Sequence, residues 1–372
     1  MSNNLIRIKD VSFSYEDHLY RTPLKFGGAL VDRATLLNVE CVVESGGRVA
    51  TGFGSMPLGN VWAFPSRVLG YDDTLNAMKS LAEKIHRLTA DYSGTAHPID
   101  INQDLHSSYL RAAEEVTGDQ QLAEPIPLLA MLVVASPFDA AIHDAFGKLH
   151  NLNCYHTYGS DFMPHDLSHY LGADFKGEYL DQYVHLEPLP RMPLYHLIGA
   201  LDPLTDDDLE TRLDDGHPET LSEWINLNGL THLKVKLNGD DLDWDVNRLA
   251  SIEEVCAETQ RQRGVEVWNY SLDFNERCPN VQYLLDFLHK VQEQSPQAFD
   301  RVQYIEQPTA RDLKANRENV MHEASELRPV VIDESLVDLE SLHLAKEMGY
   351  TGAALKACKG QRDSLLLAAA AQ

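Results

Sequence analysis

The sequence predicts an α/β protein with an amino-terminal α+β domain followed by a parallel α/β sheet or barrel. Residues 1–150 show strand patterns first and helical patterns after them. From residue 192 onward, short apolar runs alternate with helical patterns, which is typical of repeated strand–helix units. The chain has 372 residues, more than one compact core usually holds. We therefore expect a capping domain at 1–150, a connecting or inserted segment at 151–191 and a barrel domain at 192–372.

The amino-terminal domain is predicted from two periodicities. Alternating apolar residues and a Gly-Gly hairpin signal indicate strands at Leu5–Tyr15, Thr35–Val43 and Arg48–Phe53. Spacings of three and four indicate helices near Asp73–Leu88, Asp104–Val116 and Pro137–Leu149. In the third helix, Ser136 is a suitable cap and Pro137 suits the first helical position.

The later elements alternate. Apolar runs predict strands at Leu194–Gly199, His232–Leu237, Val265–Phe274, Val302–Glu306, Val330–Asp333 and Ala353–Lys356. Helical patterns fill the intervals, for example over Tyr283–Val291 and over Leu339–Met348, where Gly349 ends the helix.

Composition excludes several classes of partner and location. The formal charge of −26, from 57 acidic and 31 basic residues, disfavours nucleic acid and anionic membranes. No run of 18 apolar residues is evident, and residues 1–10 lack the apolar segment of a secretory signal, so we expect a cytoplasmic protein. The five cysteines are scattered and never form a CxxC pair, which predicts reduced thiols.

Polar residues stand where the later strands end. Lys236, Asp273, Glu306, Asp333 and Lys356 are spaced 23 to 37 residues apart, which brackets the roughly 31 residues expected for each unit of an eight-unit barrel. They therefore fall on five successive strands. Because the active sites of such barrels lie at the carboxyl ends of the strands, we expect these side chains to share one cavity.

Three carboxylates in one cavity predict a metal site. Asp273, Glu306 and Asp333 cannot all stay ionised in a low dielectric unless a cation offsets their repulsion. Oxygen ligands of this kind favour Mg²⁺, and Mn²⁺ has similar preferences. The alternative is that each acid ends its strand by facing solvent.

Lysines flank the three acids. Lys234 and Lys236 are two residues apart on a strand, so both project from the same face. Desolvation and a nearby metal would lower the pKa of these ammonium groups, so that a lysine could act as a base. Lys356 approaches the cavity from another strand, which would place bases on two sides of a substrate carbon. The alternative for the Lys-Val-Lys motif alone is an edge strand with solvated charges.

The ordered motifs resemble those of a known family. Leu233–Gly239, Leu272–Asn275, Tyr304–Pro308, Ile332–Ser335 and Leu355-Lys356 are similar to the signature of the enolase superfamily, in its muconate-lactonizing and mandelate-racemase-like branch. The resemblance covers nearly the whole chain, and it implies a capping domain followed by a (β/α)7β barrel.

The resemblance also implies roles for individual residues. Asp273, Glu306 and Asp333 would hold Mg²⁺, and Lys236 and Lys356 would be the acid/base pair. Lys234 would lower the pKa of Lys236 or contact substrate, and we expect Asn275, Glu334 and Lys359 to bind substrate or support the ligands. The segments Arg21–Gly28 and Gly52–Asn60 resemble loops that close over the substrate.

Two features depart from the family pattern. Residues 192–372 suffice for about six strand–helix units, so the barrel is expected to be truncated after its sixth strand, with a missing wall either lost from a fragment or supplied by a partner chain. After Lys356 the chain reads Ala-Cys-Lys-Gly, where relatives usually have Gly-Gly. This difference concerns the shape of the loop.

Three functions remain open from the sequence. The first is an isomerase or lyase that removes the α-proton of a small carboxylate. The overall reaction would be a racemisation, epimerisation, cycloisomerisation or dehydration. The second is a non-catalytic truncated barrel that only binds metal. The third is a lyase that uses Lys356 as a Schiff base. By analogy with relatives, we also expect a homo-oligomer.

Overall fold

The computed structural model describes residues 4–26 and 29–372. Three antiparallel strands form one sheet in the order β1-β2-β3, and six parallel strands form another in the order β4 to β9. The strands are β1 (Arg7–Phe26), β2 (Ala29–Ser45), β3 (Arg48–Pro57), β4 (Tyr195–Ile198), β5 (His232–Lys236), β6 (Asn269–Asp273), β7 (Val302–Glu306), β8 (Val330–Ile332) and β9 (Gly352–Ala353). Each sheet has its own apolar core. The protein thus has an α/β fold in which a small antiparallel-sheet domain precedes a parallel-sheet domain.

Helices cover both sheets. They are α1 (Asn60–Ala63), α2 (Tyr71–Ala90), α3 (Pro98–Asp119), α4 (Leu128–His150), α5 (Ser168–Leu171), α6 (Leu221–Asn228), α7 (Leu242–Arg263), α8 (Val281–Gln294), α9 (Pro296–Arg301), α10 (His322–Leu327), α11 (Leu339–Glu347) and α12 (Gln361–Ala371). At least one helix separates each pair of successive parallel strands. The predicted alternation of strands and helices is therefore present.

Helix α4 corrects the prediction of a helix that starts at Pro137. The helix begins at Leu128, so Pro137 lies in its interior and Ser136 is not its cap. Proline has no N–H to donate to the carbonyl four residues earlier, that of Val133. The hydroxyl of Ser136 donates to this carbonyl instead, at 2.8 Å. The side chain next to the proline thus satisfies the acceptor that the proline leaves open.

The same helix is the exception to the expectation that no segment is apolar enough to cross a membrane. By length and composition α4 would qualify, but 78% of its apolar window is buried inside the fold. It packs against β2 and β3. The helix therefore forms the core of the first domain, which explains its all-round apolar character.

The resemblance implied that Gly52 and Gly54 lie in a loop over the substrate, and the structure corrects this. Both belong to β3, which extends to Pro57 and packs on α4. A Cβ atom added at Gly54 would lie 2.0 Å from the carbonyl oxygen of Pro137, so only glycine allows this approach of strand and helix. In the other predicted loop, Arg21–Gly28, β1 continues to Phe26, and Gly27 and Gly28 lie outside the described residues.

The parallel sheet is curled. Tyr195 on β4 donates a hydrogen bond to Gln303 on β7, and the rings of Tyr195 and Tyr304 are 5.8 Å apart. Strands β4 and β7 are three positions apart in the sheet. Their side chains can meet only if the sheet bends toward them.

Segment 151–191 has a small core of its own. Buried Tyr158, Met163, Leu167 and Leu180 pack together with apolar residues of α3 and α12. The segment is thereby packed against both domains, since α3 belongs to the first and α12 follows the last strand.

His97 connects this segment to the start of α3 and predicts a pH dependence of stability. Its Nδ1 accepts from the backbone N–H of Ile99, so its Nε2 carries the proton that it donates to the carbonyl of Thr157 at 3.1 Å. Burial, together with the nearby His143, lowers the pKa of His97 to about 3. The imidazole is therefore held in its neutral form.

Stability is expected to fall as the pH drops from about 6.5 toward 3. In this window the unfolded chain, whose histidine has the ordinary pKa, binds the proton that folded His97 rejects. The free energy of unfolding should fall by up to about 1.4 kcal/mol per pH unit from this group. Urea unfolding at pH 7, 6 and 5 gives the free energy of unfolding at each pH. This free energy should depend more steeply on pH in the wild type than in His97→Asn, which retains a capping side chain. Equal slopes would contradict this account.

Candidate active site

The predicted residues lie at the carboxyl edge of the parallel sheet. Lys236, Asp273 and Glu306 are the last residues of β5, β6 and β7, and the register places them beside one another. Asp333 follows β8 directly, and Lys356 lies three residues after β9. These five side chains meet, as the spacing predicted, because parallel strands with a common register end at the same edge.

Two lysines contact the first two carboxylates. The Nζ of Lys234 lies 2.9 Å from Oδ2 of Asp273 and 2.6 Å from Oε2 of Glu306. Lys236 donates to the same Oδ2 of Asp273 at 2.5 Å. Both lysines therefore project from the same face of β5, and the edge-strand alternative does not apply to them.

Lys356 contacts the other pair of carboxylates. Its ammonium donates to Oδ2 of Asp333, and it also donates to Oε1 of Glu306 at 3.3 Å. The carboxylate of Glu306 thus lies between Lys234 on one side and Lys356 on the other. Since the three acids are all at most 3% exposed, the alternative that they face solvent is excluded.

The donor set fits a hard divalent cation. Asp273, Glu306 and Asp333 offer only carboxylate oxygens, and a single ammonium already bridges each neighbouring pair of them. A cation placed among the three acids would meet oxygen ligands from three strands, which is the environment that Mg²⁺ prefers. The chemistry of the three carboxylates therefore fits the predicted metal, and in this structure the ammonium groups of Lys234 and Lys356 lie between them.

Lys359 also contacts this group. It is 3% exposed and donates to the backbone oxygen of Asp333 and, at 3.1 Å, to its Oδ1. Burial lowers the pKa of Lys359, against the opposing effect of Asp333. Asp333 consequently has a lysine on each side, Lys356 and Lys359.

Glu334 and Asn275 complete the rim. Oε1 of Glu334 accepts from the indole N–H of Trp62 at 3.0 Å, and burial together with Asp333 raises the pKa of Glu334 to about 8. The backbone N–H of Asn275 donates to Oδ1 of Asp273 at 2.8 Å. The side-chain nitrogen of Asn275 is buried and has no hydrogen-bond partner within residues 4–26 and 29–372. That amide is free to bind a ligand at the rim.

The pKa values of Lys234 and Lys356 are raised, whereas the sequence predicted lowered values. Burial alone would lower the pKa of Lys356, but Asp333 and Glu306 outweigh it and raise the value. The pKa of Lys234 is raised in the same way by Asp273 and Glu306. Glu306 has a raised pKa because of its burial and the charge of Asp273. Carboxylate contacts, which the sequence did not reveal, therefore keep Lys234 and Lys356 protonated.

Three further residues shape the site and were missed from the sequence. Trp62, on α1 of the first domain, places its ring 5.1 Å from Nζ of Lys356. Arg311 donates to the backbone oxygen of Trp62 and pairs with Glu276 at 2.5 Å. No local motif indicates Trp62 or Arg311, because the contacts that define them are with residues about 250 positions away.

Gln307 is the third of these residues, and it lies within a motif that the sequence did single out. Its Oε1 accepts from the backbone N–H groups of Asp333 and Ser335 at 3.0 and 3.2 Å. Its φ of 34° is unusual for a residue other than glycine. Gln307 therefore fixes the loop after β8 in place.

The cavity between these residues has a volume of about 250 Å³. Its lining residues are Lys234, Lys236, Lys356, Asp273, Glu306, Asp333, Glu334, Trp62, Asn275 and Cys358. A larger cavity of about 640 Å³ lies elsewhere, beside β4, and contains none of the predicted residues. The smaller cavity is therefore the candidate active site, since the chemically reactive groups converge there.

Comparisons with solved structures match the fold along nearly the whole chain. Muconate lactonizing enzyme from Pseudomonas fluorescens, complexed with muconolactone, is 17% identical with a TM-score of 0.57, covering 98% of this chain and 77% of that one. The L-Ala-D/L-Glu epimerase from Bacillus subtilis is 15% identical with a TM-score of 0.59, covering 97% and 78%. This chain shares its fold with these two enzymes.

An enolase from Bradyrhizobium, complexed with magnesium and mandelic acid, gives a further match. It is 14% identical with a TM-score of 0.55, covering 92% of this chain and 72% of that one. Neither family models nor curated proteins match the sequence. The structural likeness thus establishes the fold alone.

Proposed function

We propose that the protein removes the α-proton of a small carboxylate substrate in an Mg²⁺-dependent reaction that ends in racemisation, epimerisation, cycloisomerisation or dehydration. The observation that carries the proposal is the arrangement at the sheet edge. Three buried carboxylates lie between Lys234 and Lys236 on one side and Lys356 on the other. This arrangement would combine a metal site with two proton-transfer groups.

Asp273, Glu306 and Asp333 would hold the metal, for which Mn²⁺ is a second candidate. When bound, the cation would stabilise the negative charge that develops on the substrate carboxylate as the α-proton leaves. The substrate would enter the cavity of about 250 Å³ beneath Trp62. This size suits a small acid.

The lysines would move the proton. Lys236 would act at one face of the α-carbon and Lys356 at the other, because they approach the acids from β5 and from beyond β9. A neutral amine is needed, and the pKa of Lys356 would fall if a bound cation offset the charges of Asp333 and Glu306, which raise it. Lys234 shares Oδ2 of Asp273 with Lys236 and also lines the cavity that the substrate would enter.

We also infer that the parallel sheet belongs to a barrel of the (β/α)7β type. The contacts between side chains of β4 and β7 support this inference, because they need strong curvature. The likeness to superfamily structures supports it as well.

The experiment that tests the proposed function is deuterium exchange at the α-carbon. A set of small carboxylates, including aromatic hydroxy acids, dipeptides and unsaturated diacids, is incubated with the protein in D₂O and followed by NMR. Exchange or turnover with Mg²⁺ that stops on addition of a chelator and returns with excess metal is the expected result.

The competing functions predict other outcomes. Calorimetric binding of Mg²⁺ without exchange of any acid in the set would favour the non-catalytic alternative. Covalent trapping by borohydride with a carbonyl substrate would favour the Schiff-base alternative.

A further inference from the structure

A second group of metal-ligating side chains lies where segment 151–191 packs against the first turn of α3. One carboxylate oxygen of Asp100 and one ring nitrogen each of His165 and His169 all lie within 4.8 Å of one another. The two imidazole rings are stacked, with centroids 4.2 Å apart and an interplanar angle of 17°. None of these three residues lines the candidate active site.

Asp100 supplies an oxygen that needs a partner. The residue is 8% exposed, and its Oδ1 accepts a hydrogen bond from the hydroxyl of Tyr170. Its Oδ2 is buried and has no hydrogen-bond partner in the part of the chain that the structure describes. Burial of such an atom costs free energy unless a hydrogen bond or a cation compensates. The Tyr170 contact also fixes the orientation of the carboxylate, as outer hydrogen bonds do for metal ligands.

The turn that carries the two histidines is held in place by its own hydrogen bonds. Oδ1 of Asp166 accepts from the backbone N–H of Ser168 at 3.1 Å, and its Oδ2 accepts from the backbone N–H of Gly177 at 2.8 Å. His165 and His169 lie on either side of this turn, and both are exposed. Their rings are thus positioned beside each other before any ligand arrives, with one side open to solvent.

We propose that Asp100, His165 and His169 form a binding site for a divalent transition-metal ion of the borderline class, with Zn²⁺ as the natural occupant. Two imidazoles and one carboxylate are a ligand set that such ions accept, and the open side leaves a position for water. Mg²⁺ binds oxygen ligands, so this site and the three-carboxylate site select different metals. Binding joins segment 151–191 to α3.

The test is a Zn²⁺ titration of the full chain in excess Mg²⁺, with a chromophoric chelator as competitor. Excess Mg²⁺ keeps Zn²⁺ from the carboxylates of the candidate active site. One Zn²⁺ per chain is expected, with affinity at least tenfold lower in His165→Ala or His169→Ala and no binding at this site in the double variant. His185→Ala removes another exposed histidine of the same segment and should bind Zn²⁺ like the wild type.

Two readouts independent of catalysis complete the test. Zn²⁺ should slow proteolysis within 151–191 in the wild type, and it should leave the rate of proteolysis of the double variant unchanged. Co²⁺ should give visible absorption of an imidazole-bound ion that His169→Ala lacks. The proposal is overturned if the double variant, with a circular dichroism spectrum like that of the wild type, binds Zn²⁺ as tightly as the wild type.

Discussion

Replacing Lys356 by alanine is expected to abolish α-proton exchange from one face of the substrate carbon and to preserve exchange from the other. Lys236 contacts Asp273 and Lys356 contacts Asp333, so under the proposed function each lysine would serve one enantiomer of a chiral acid. Lys236→Ala should show the reverse preference. Loss of a positioned general base costs about 10² to 10⁴ in rate, and racemisation, which needs both lysines, should fall by at least that factor in either variant.

The measurement is NMR of each enantiomer in D₂O with Mg²⁺. Lys290→Ala serves as the matched control, because this lysine lies on α8 and pairs with Asp243 at the surface. Its variant should exchange both enantiomers at the wild-type rate. If Lys236→Ala and Lys356→Ala both exchange like the control, the assignment of the acid/base pair is wrong. If only one lysine matters for every active substrate, the reaction has a single base, as a cycloisomerisation or dehydration allows.

Glu306→Gln is expected to weaken Mg²⁺ binding strongly and to abolish exchange. Glu306 is the central carboxylate, with contacts to Lys234 and to Lys356, so the amide removes the charge between the other two acids. Amide oxygen is a weaker ligand for Mg²⁺ than carboxylate, and the substitution preserves size. We expect Mg²⁺ affinity to fall by about 10²-fold or more, since even partners beyond the ligands themselves contribute 10- to 100-fold.

Calorimetry measures the Mg²⁺ affinity of this variant, and NMR measures its exchange. Glu258→Gln is the matched control, because that acid is exposed on α7 and pairs with Arg261. Unchanged Mg²⁺ binding in Glu306→Gln would remove Glu306 from the ligand set. Lost exchange with Mg²⁺ binding intact would assign Glu306 to holding Lys234 and Lys356 rather than to the metal.

Periodicity predicted the elements of the fold, and two local expectations failed where a specific contact outweighed the local signal. Pro137 suggested a helix start, but Ser136 satisfies the carbonyl that the proline leaves open, so α4 runs through it. Gly52 and Gly54 suggested a loop, yet they allow β3 to approach α4 closely. In each case the deciding atom belongs to a contact that strand or helix propensity does not describe.

For the candidate site, the sequence by itself determined which residues meet. The spacing of Lys236, Asp273, Glu306, Asp333 and Lys356 predicts that they lie at or just beyond the ends of successive parallel strands, which meet at one edge of the sheet. That conclusion needs only chain distance and the direction of the strands.

Only the tertiary structure decided which lysines pair with which carboxylates and which residues cover the cavity. It showed that the acids raise the pKa of Lys234 and Lys356, the opposite of what burial alone implies. It also brought Trp62 over the lysines and Asp100 beside His165 and His169. Electrostatic shifts and contacts of this kind depend on distances of a few ångströms between distant parts of the chain, and spacing in the sequence does not contain those distances.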